Sequence, residues 1–188
     1  MADAASASAT ARSTPAQHPH RFGFGLHLGY GLGIAPRDRQ RGRDVADVRF
    51  VAVSPHVRVL LAHPGADERW YHGDLDGIVE ATFLIETEPA SGWAGGVNFN
   101  LRYRFLRHHR LQPYVEGGVG VGSLSFGLAD QDDGVSFFLQ GGAGARWRID
   151  DRFSLIGSVR WHHISNAQLR QPNNGIDSVL FVVGLELW

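Results

Sequence analysis

The sequence holds no cysteine, which excludes disulfides, thiolate catalysis and cysteine-ligated zinc together. It holds no lysine either: all 18 basic residues are arginine, set against 19 acidic ones. The net charge of −1 offers no basic footprint for nucleic acid, so none is expected as a partner. No run approaches the ~20 apolar residues of a membrane-spanning helix, which excludes a helical membrane protein but not a membrane barrel. Glycine is the excess: 24 of 188 residues, roughly 13% against a usual ~7%. With no Gly-X-Y period and no surplus of proline, collagen and plain disorder both fit poorly.

Residues 1–20 are largely Ala, Ser, Thr and Pro without apolar periodicity, and they read as a disordered leader. The charged start and apolar stretch of a secretory signal are missing there, although Ala-x-Ala steps leave room for the tail of one. From residue 21 to 188 the dominant signal has period two, the mark of strands with unlike faces. In the first strand Phe22, Phe24, Leu26, Leu28, Tyr30, Leu32 and Ile34 alternate with glycines and His27. Similar runs are expected at about 45–61 and 69–87, and from Trp93, Leu111, Val135, Phe153 and Val179 onward. Eight long alternating strands without a convincing helix predict an all-β fold, an eight-stranded antiparallel barrel whose closure removes free edges.

A soluble lipocalin-like carrier would turn the apolar face inward, whereas a transmembrane barrel turns it outward around a polar lumen. Three features favour the outward arrangement. The polar faces carry acids (Asp74, Asp76, Glu80, Glu86, Glu116, Glu186) and arginines (Arg102, Arg104, Arg146, Arg148, Arg160) in near balance, suited to bidentate pairing in a narrow space. Glycines crowd those same faces, as an eight-stranded interior requires. Tyr30, Trp93, Tyr103, Trp147 and Trp161 lie on the apolar face, where interfacial girdles sit. The terminal Trp188 resembles the C-terminal aromatic of bacterial outer-membrane barrels, with Glu186 where an apolar residue is more usual. With both termini periplasmic, connections at about 35–44, 88–92, 122–134 and 166–176 become extracellular, and turns near 62–68, 106–110 and 150–152 periplasmic. The basic run Arg37–Arg43 then becomes an outer loop, read first as a solvated loop and second as a contact for phosphate groups.

The candidate chemistry lies in Trp161-His162-His163-Ile164-Ser165-Asn166-Ala167, which closes strand seven. His163 and Ser165 are two apart and share the apolar face with Val159 and Trp161. Asp177 opens strand eight and shares its face with Val179 and Phe181, so a hairpin gathers Ser165, His163 and Asp177 on the outer wall. The arrangement suits a serine nucleophile, a histidine base and an orienting carboxylate, with Asn166 beside the nucleophile for the oxyanion. Against it stands the plainer reading that His163 and Ser165 are rim residues. His108, His109 and His162 show no metal-ligand pattern.

His163-Ile164-Ser165-Asn166-Ala167, followed by Pro172-Asn173-Asn174-Gly175-Ile176-Asp177, resembles the active-site hairpin of the PagL-type lipid A 3-O-deacylases. The stretches Trp70-Tyr71-His72-Gly73 and Pro113–Gly120 are similar to the family as well. The resemblance implies an eight-stranded outer-membrane esterase with a Ser-His-Glu triad, whose serine and histidine fall on Ser165 and His163. Its acid falls on Asp177, an aspartate in place of glutamate, and its oxyanion asparagine on Asn166; a glycine also assigned there appears as Gln168. It further implies removal of the ester-linked 3-hydroxyacyl chain at position 3 of lipid A, without metal or cofactor. The acyl chains of the lipopolysaccharide substrate would lie along Val159, Trp161, Val179 and Phe181. Outer-membrane lipid surrounds such a barrel, and a homodimer is left open. The competing reading within the same fold is a non-catalytic structural barrel with a vestigial hairpin.

Overall fold

Period-two sequence becomes strand wherever a neighbour can take its hydrogen bonds, and here every strand has two neighbours. The computed structural model describes residues 21–34, 48–64, 69–129 and 131–188. Within them run β1 (Phe22–Ile34), β2 (Arg49–Ala62), β3 (Asp74–Glu88), β4 (Trp93–Arg104), β5 (Leu111–Ser125), β6 (Gly134–Arg148), β7 (Phe153–Ser165) and β8 (Ile176–Leu187). Each pairs antiparallel with the next, and β8 returns to β1, closing the barrel. The expected leader at 1–20 and the arginine-rich run 37–43 lie outside the described residues.

The alternation resolves as expected, with the apolar face outward. Phe22, Phe24, Phe83, Phe99, Val119 and Val183 are exposed on the wall, while Asp76, Glu80, Arg102 and Arg160 are buried in the lumen. Glycine makes that lumen habitable. A Cβ on Gly118 or Gly120 would run into Asn100 or Asn98, and one on Gly31 would strike the Phe50 ring. By contrast, the outward Gly157 meets nothing.

The space so opened holds a chain of ion pairs. Arg160 Nε donates to Glu116 Oε1 at 2.6 Å, and Arg160 Nη1 donates to both oxygens of Glu80 at 3.0 and 3.1 Å. Arg102 bridges Glu116 (2.9 Å) and Glu186 (2.6 Å). Nearer the termini, Arg58 and Arg104 converge on Asp76 at 2.6 Å each. Charges removed from water are tolerated when paired and hydrogen-bonded, which is the condition met here.

Strand boundaries depart from the sequence reading at three points. β3 begins at Asp74 rather than near 69, because residues 69–72 close a turn (His72 N to Arg69 O, 2.9 Å) and Gly73 packs on the Arg104 backbone. β2 begins at Arg49, and β5 continues through Ser125, so the β5–β6 connection is 126–133 rather than 122–134. Trp188, the terminal aromatic, lies apart from the five girdle residues. It continues the inward set of β8, with the Arg58 guanidinium 3.4 Å and the Arg146 guanidinium 4.0 Å from its ring centre. Glu186 belongs to that same inward set, which accounts for a charge in that position.

Candidate active site

The end of the β7–β8 hairpin interrupts the apolar wall. His163 and Asp177 are direct cross-strand partners, where side chains of neighbouring strands meet. His163 Nδ1 lies 2.9 Å from Asp177 Oδ1. A carboxylate only accepts, so Nδ1 carries the proton and Nε2 keeps a free lone pair. Both side chains are partly open, at 28% and 34%. Trp161 stacks on the imidazole at 5.8 Å between ring centres and 24° between planes, fixing its second face.

Gly175 precedes the first residue of β8, and its φ of +72° is a conformation that glycine adopts without strain. A Cβ there would stand 2.6 Å from His163 Cε1, so the bare backbone is the floor on which the ring rests. The Gly175 N–H donates to Gln131 Oε1 at 2.9 Å, and the Asp132 N–H donates to the Pro172 carbonyl at 2.8 Å. Arg170 pairs with Asp132 at 3.2 Å. The β5–β6 connection therefore braces the hairpin tip. Gln131, Asp132 and Arg170 carry no signal by which sequence reasoning singles them out, and Gly175 stands out only as part of the family-like stretch 172–177, since the contacts span two separate loops.

Ser165 ends β7 on the same outward face and is half-buried. Its hydroxyl has no hydrogen bond among the described residues, to His163 or otherwise. Beyond it Asn166 is fully buried: its N–H donates to Asn173 Oδ1 (2.9 Å) and its Nδ2 to the Arg170 carbonyl (3.0 Å). The chain then turns tightly, with Leu169 N–H donating to the Asn166 carbonyl at 3.0 Å and positive φ at Ala167 (51°) and Gln168 (66°). The N–H groups of Ala167 and Gln168, inside that turn, have no acceptor among the described residues. Gln168 thus holds the left-handed backbone that glycine, its counterpart in the sequence resemblance, takes most readily.

Below the His163–Asp177 row, Trp161 faces Val179 and Val159 faces Phe181 across the two strands. All four side chains point out of the barrel, so the expected apolar track begins directly under the polar pair.

The family model described as lipid A 3-O-deacylase (PagL) matches residues 56–186. The chain belongs to this family. Lipid A deacylase PagL of Pseudomonas aeruginosa is 38% identical over 69 residues, an alignment spanning 36% of the chain and 39% of the relative's length. The crystal structure of the outer membrane enzyme PagL superposes with a TM-score of 0.56 at 22% identity, covering 87% of the chain and 99% of that structure. Neisserial surface protein A shares the architecture, with a TM-score of 0.63 at 11% identity over 88% of the chain and 96% of its own. These two likenesses concern the fold. As a member of the PagL family with an apolar outer wall, the chain is a barrel of the bacterial outer membrane.

Proposed function

We propose that this barrel is a serine esterase that releases the ester-linked 3-hydroxyacyl chain at position 3 of lipid A. The observation that carries the reading is the 2.9 Å His163–Asp177 pair on the outward face, beside Ser165 and above an apolar track. Buried polar pairs inside the lumen need only one another. A polar pair facing lipid is expensive unless it sits near the interface or has a task.

In this reading His163 Nε2 takes the Ser165 hydroxyl proton as Oγ attacks the ester carbonyl, and Asp177 steadies the imidazolium that forms. The absence of a Ser165–His163 hydrogen bond in the free protein is compatible with this, because catalytic contacts often close only around substrate. The oxyanion would meet donors beside Ser165: the second amide hydrogen of Asn166, and the N–H groups of Ala167 and Gln168 in the tight turn. Collapse of the tetrahedral intermediate gives the sugar hydroxyl the proton from His163. Water, activated by the same base, then frees the acyl group from Ser165. The lipid's remaining chains lie along Trp161, Val179, Val159 and Phe181 while the hairpin end reaches the headgroup layer.

The test is mass spectrometry of lipid A incubated with the refolded barrel and with Ser165→Ala. Loss of one 3-hydroxyacyl chain with the unaltered protein alone is the expected result. Unchanged lipid A beside a demonstrably folded barrel would sink the proposal and favour a structural barrel with an idle hairpin.

A further inference from the structure

A second polar constellation lies inside the barrel, on β1, β2 and β8. In the pairing register Gly25 faces His56 on one side and Glu186 on the other. Having no side chain, Gly25 lets those two arch over it: a Cβ there would collide with the His56 ring, whose Nε2 comes within 3.5 Å of Glu186 Oε1. His27, two residues along β1, joins them with its ring centre 4.1 Å from that of His56. One ligand atom from each of His27, His56 and Glu186 lies within 4.8 Å of the others, and all three residues are buried.

Their unused valences point to what the group is for. His27 Nδ1 lies 2.8 Å from Glu80 Oε2 and 3.2 Å from Arg160 Nη2; in the tautomer that serves the shorter contact Nδ1 donates to the carboxylate and Nε2 offers a lone pair. That Nε2 has no hydrogen-bond partner; neither has either nitrogen of His56, nor Glu186 Oε2. Buried polar atoms are ordinarily satisfied, and here His27 Nε2 and His56 Nδ1 make no polar contact at all, while His56 Nε2 and Glu186 Oε2 have only ion-pair contacts at 3.5 Å, so the cluster has ligand atoms to offer an occupant. The Glu80–His27 contact also has the form that metal-bound histidines show, the far ring nitrogen held by a carboxylate. Glu80 and Glu186 are in turn fixed by Arg160 (3.0 Å) and Arg102 (2.6 Å), and Arg146 Nε stands 3.5 Å from Glu186 Oε2.

We propose that His27 Nε2, His56 and the Glu186 carboxylate form a buried site for a divalent transition-metal cation of the zinc class. Two imidazoles and one carboxylate are a familiar zinc ligand set, with metal–ligand bonds of about 2.0–2.2 Å. Such bonds space neighbouring ligand atoms more closely than 4.8 Å, so the cation draws the three inward by small side-chain rotations. The bound ion clips β1 to both its neighbours, including β8 across the closing seam of the barrel. It stands apart from the ester chemistry: Glu186 is nine residues along β8 from Asp177, roughly 30 Å at ~3.3 Å per residue, and on the opposite face of the wall. The lumen packs around the site, so the ion enters as the barrel closes.

The experiment is to refold the full chain with and without zinc, dialyse against chelator, and measure zinc per chain alongside the heat-modifiable gel mobility of the folded barrel. About one zinc per chain is expected to survive chelation in the unaltered protein and to be lost in His56→Gln and His27→Gln. Chelation strips surface histidines, so zinc retained equally in both variants would overturn the assignment, as would none in the folded unaltered chain. Refolding the unaltered chain with cobalt(II) keeps the question open to answer even where a variant does not fold. The visible bands of a four- or five-coordinate nitrogen–oxygen site support the proposal, and their absence refutes it.

Discussion

At the scale of the single residue, Asp177 shows how position substitutes for length. An aspartate is one methylene shorter than the glutamate its family leads one to expect, yet its carboxylate reaches His163 Nδ1 at 2.9 Å. It does so because the two residues are direct partners in the ladder, where Cβ atoms come within about 4.5–5.5 Å. The carboxylate fixes the tautomer, so Asp177→Asn should leave the barrel folded while lowering kcat by on the order of 10³–10⁴, the scale of losing that function in a serine triad. Turnover of purified lipid A by refolded protein measures it. Asp177→Glu should retain most of the activity, since a longer side chain can fold back to the same nitrogen. An equal loss in both variants would mean that the carboxylate does something other than orient the ring.

At the scale of the element, the β7–β8 hairpin is a wall segment whose tip has been rebuilt as a cradle. Its strand part was legible: alternation placed His163, Ser165 and Asp177 on one face, and the register does pair His163 with Asp177. The cradle was not legible. Gly175 supports the imidazole through a positive φ and a missing Cβ, and Gln131 holds Gly175 from the neighbouring connection. Neither property has a period, and a contact between residues 131 and 175 leaves no trace in local sequence. The boundaries of β3 and β5 missed for a related reason, since a turn before Asp74 and extra pairing through Ser125 depend on partners rather than on alternation. Gly175→Ala tests the cradle. The methyl group must displace the ring from its place beside Asp177, and on the proposed mechanism kcat should fall by one to two orders of magnitude with KM little changed. Steady-state kinetics on one lipid A preparation would separate this from a binding defect, which would move KM instead.

At the scale of the whole molecule, the two faces of one sheet obey opposite rules. Outside, apolar side chains meet lipid, and a charge placed there at the bilayer midplane costs about 2–4 kcal/mol, falling toward zero at the interfaces. A polar pair at a strand end is therefore tolerated where the same pair mid-wall is not. Inside, charge is required. Glu116 accepts from both Arg102 and Arg160, so Glu116→Gln strips a carboxylate from two buried guanidinium groups. Removing one partner of a buried pair typically destabilises by about 3–5 kcal/mol, and the urea midpoint of the folded barrel should drop accordingly. The composition announced this interior before any coordinates did: balanced acids and arginines, with glycine in excess on the same face.

The filled interior also settles what passes through the wall. Arg102, Asp76, Asn98 and Ser136, spread along the barrel from one end of the lumen to the other, are sealed from solvent and interlocked over glycines. An ion entering from either mouth would have to part guanidinium from carboxylate in a space with no room for its own hydration shell. Although built like the walls of a porin, this barrel should behave electrically as a plug: inserted into a planar bilayer under voltage, it should carry no steady current.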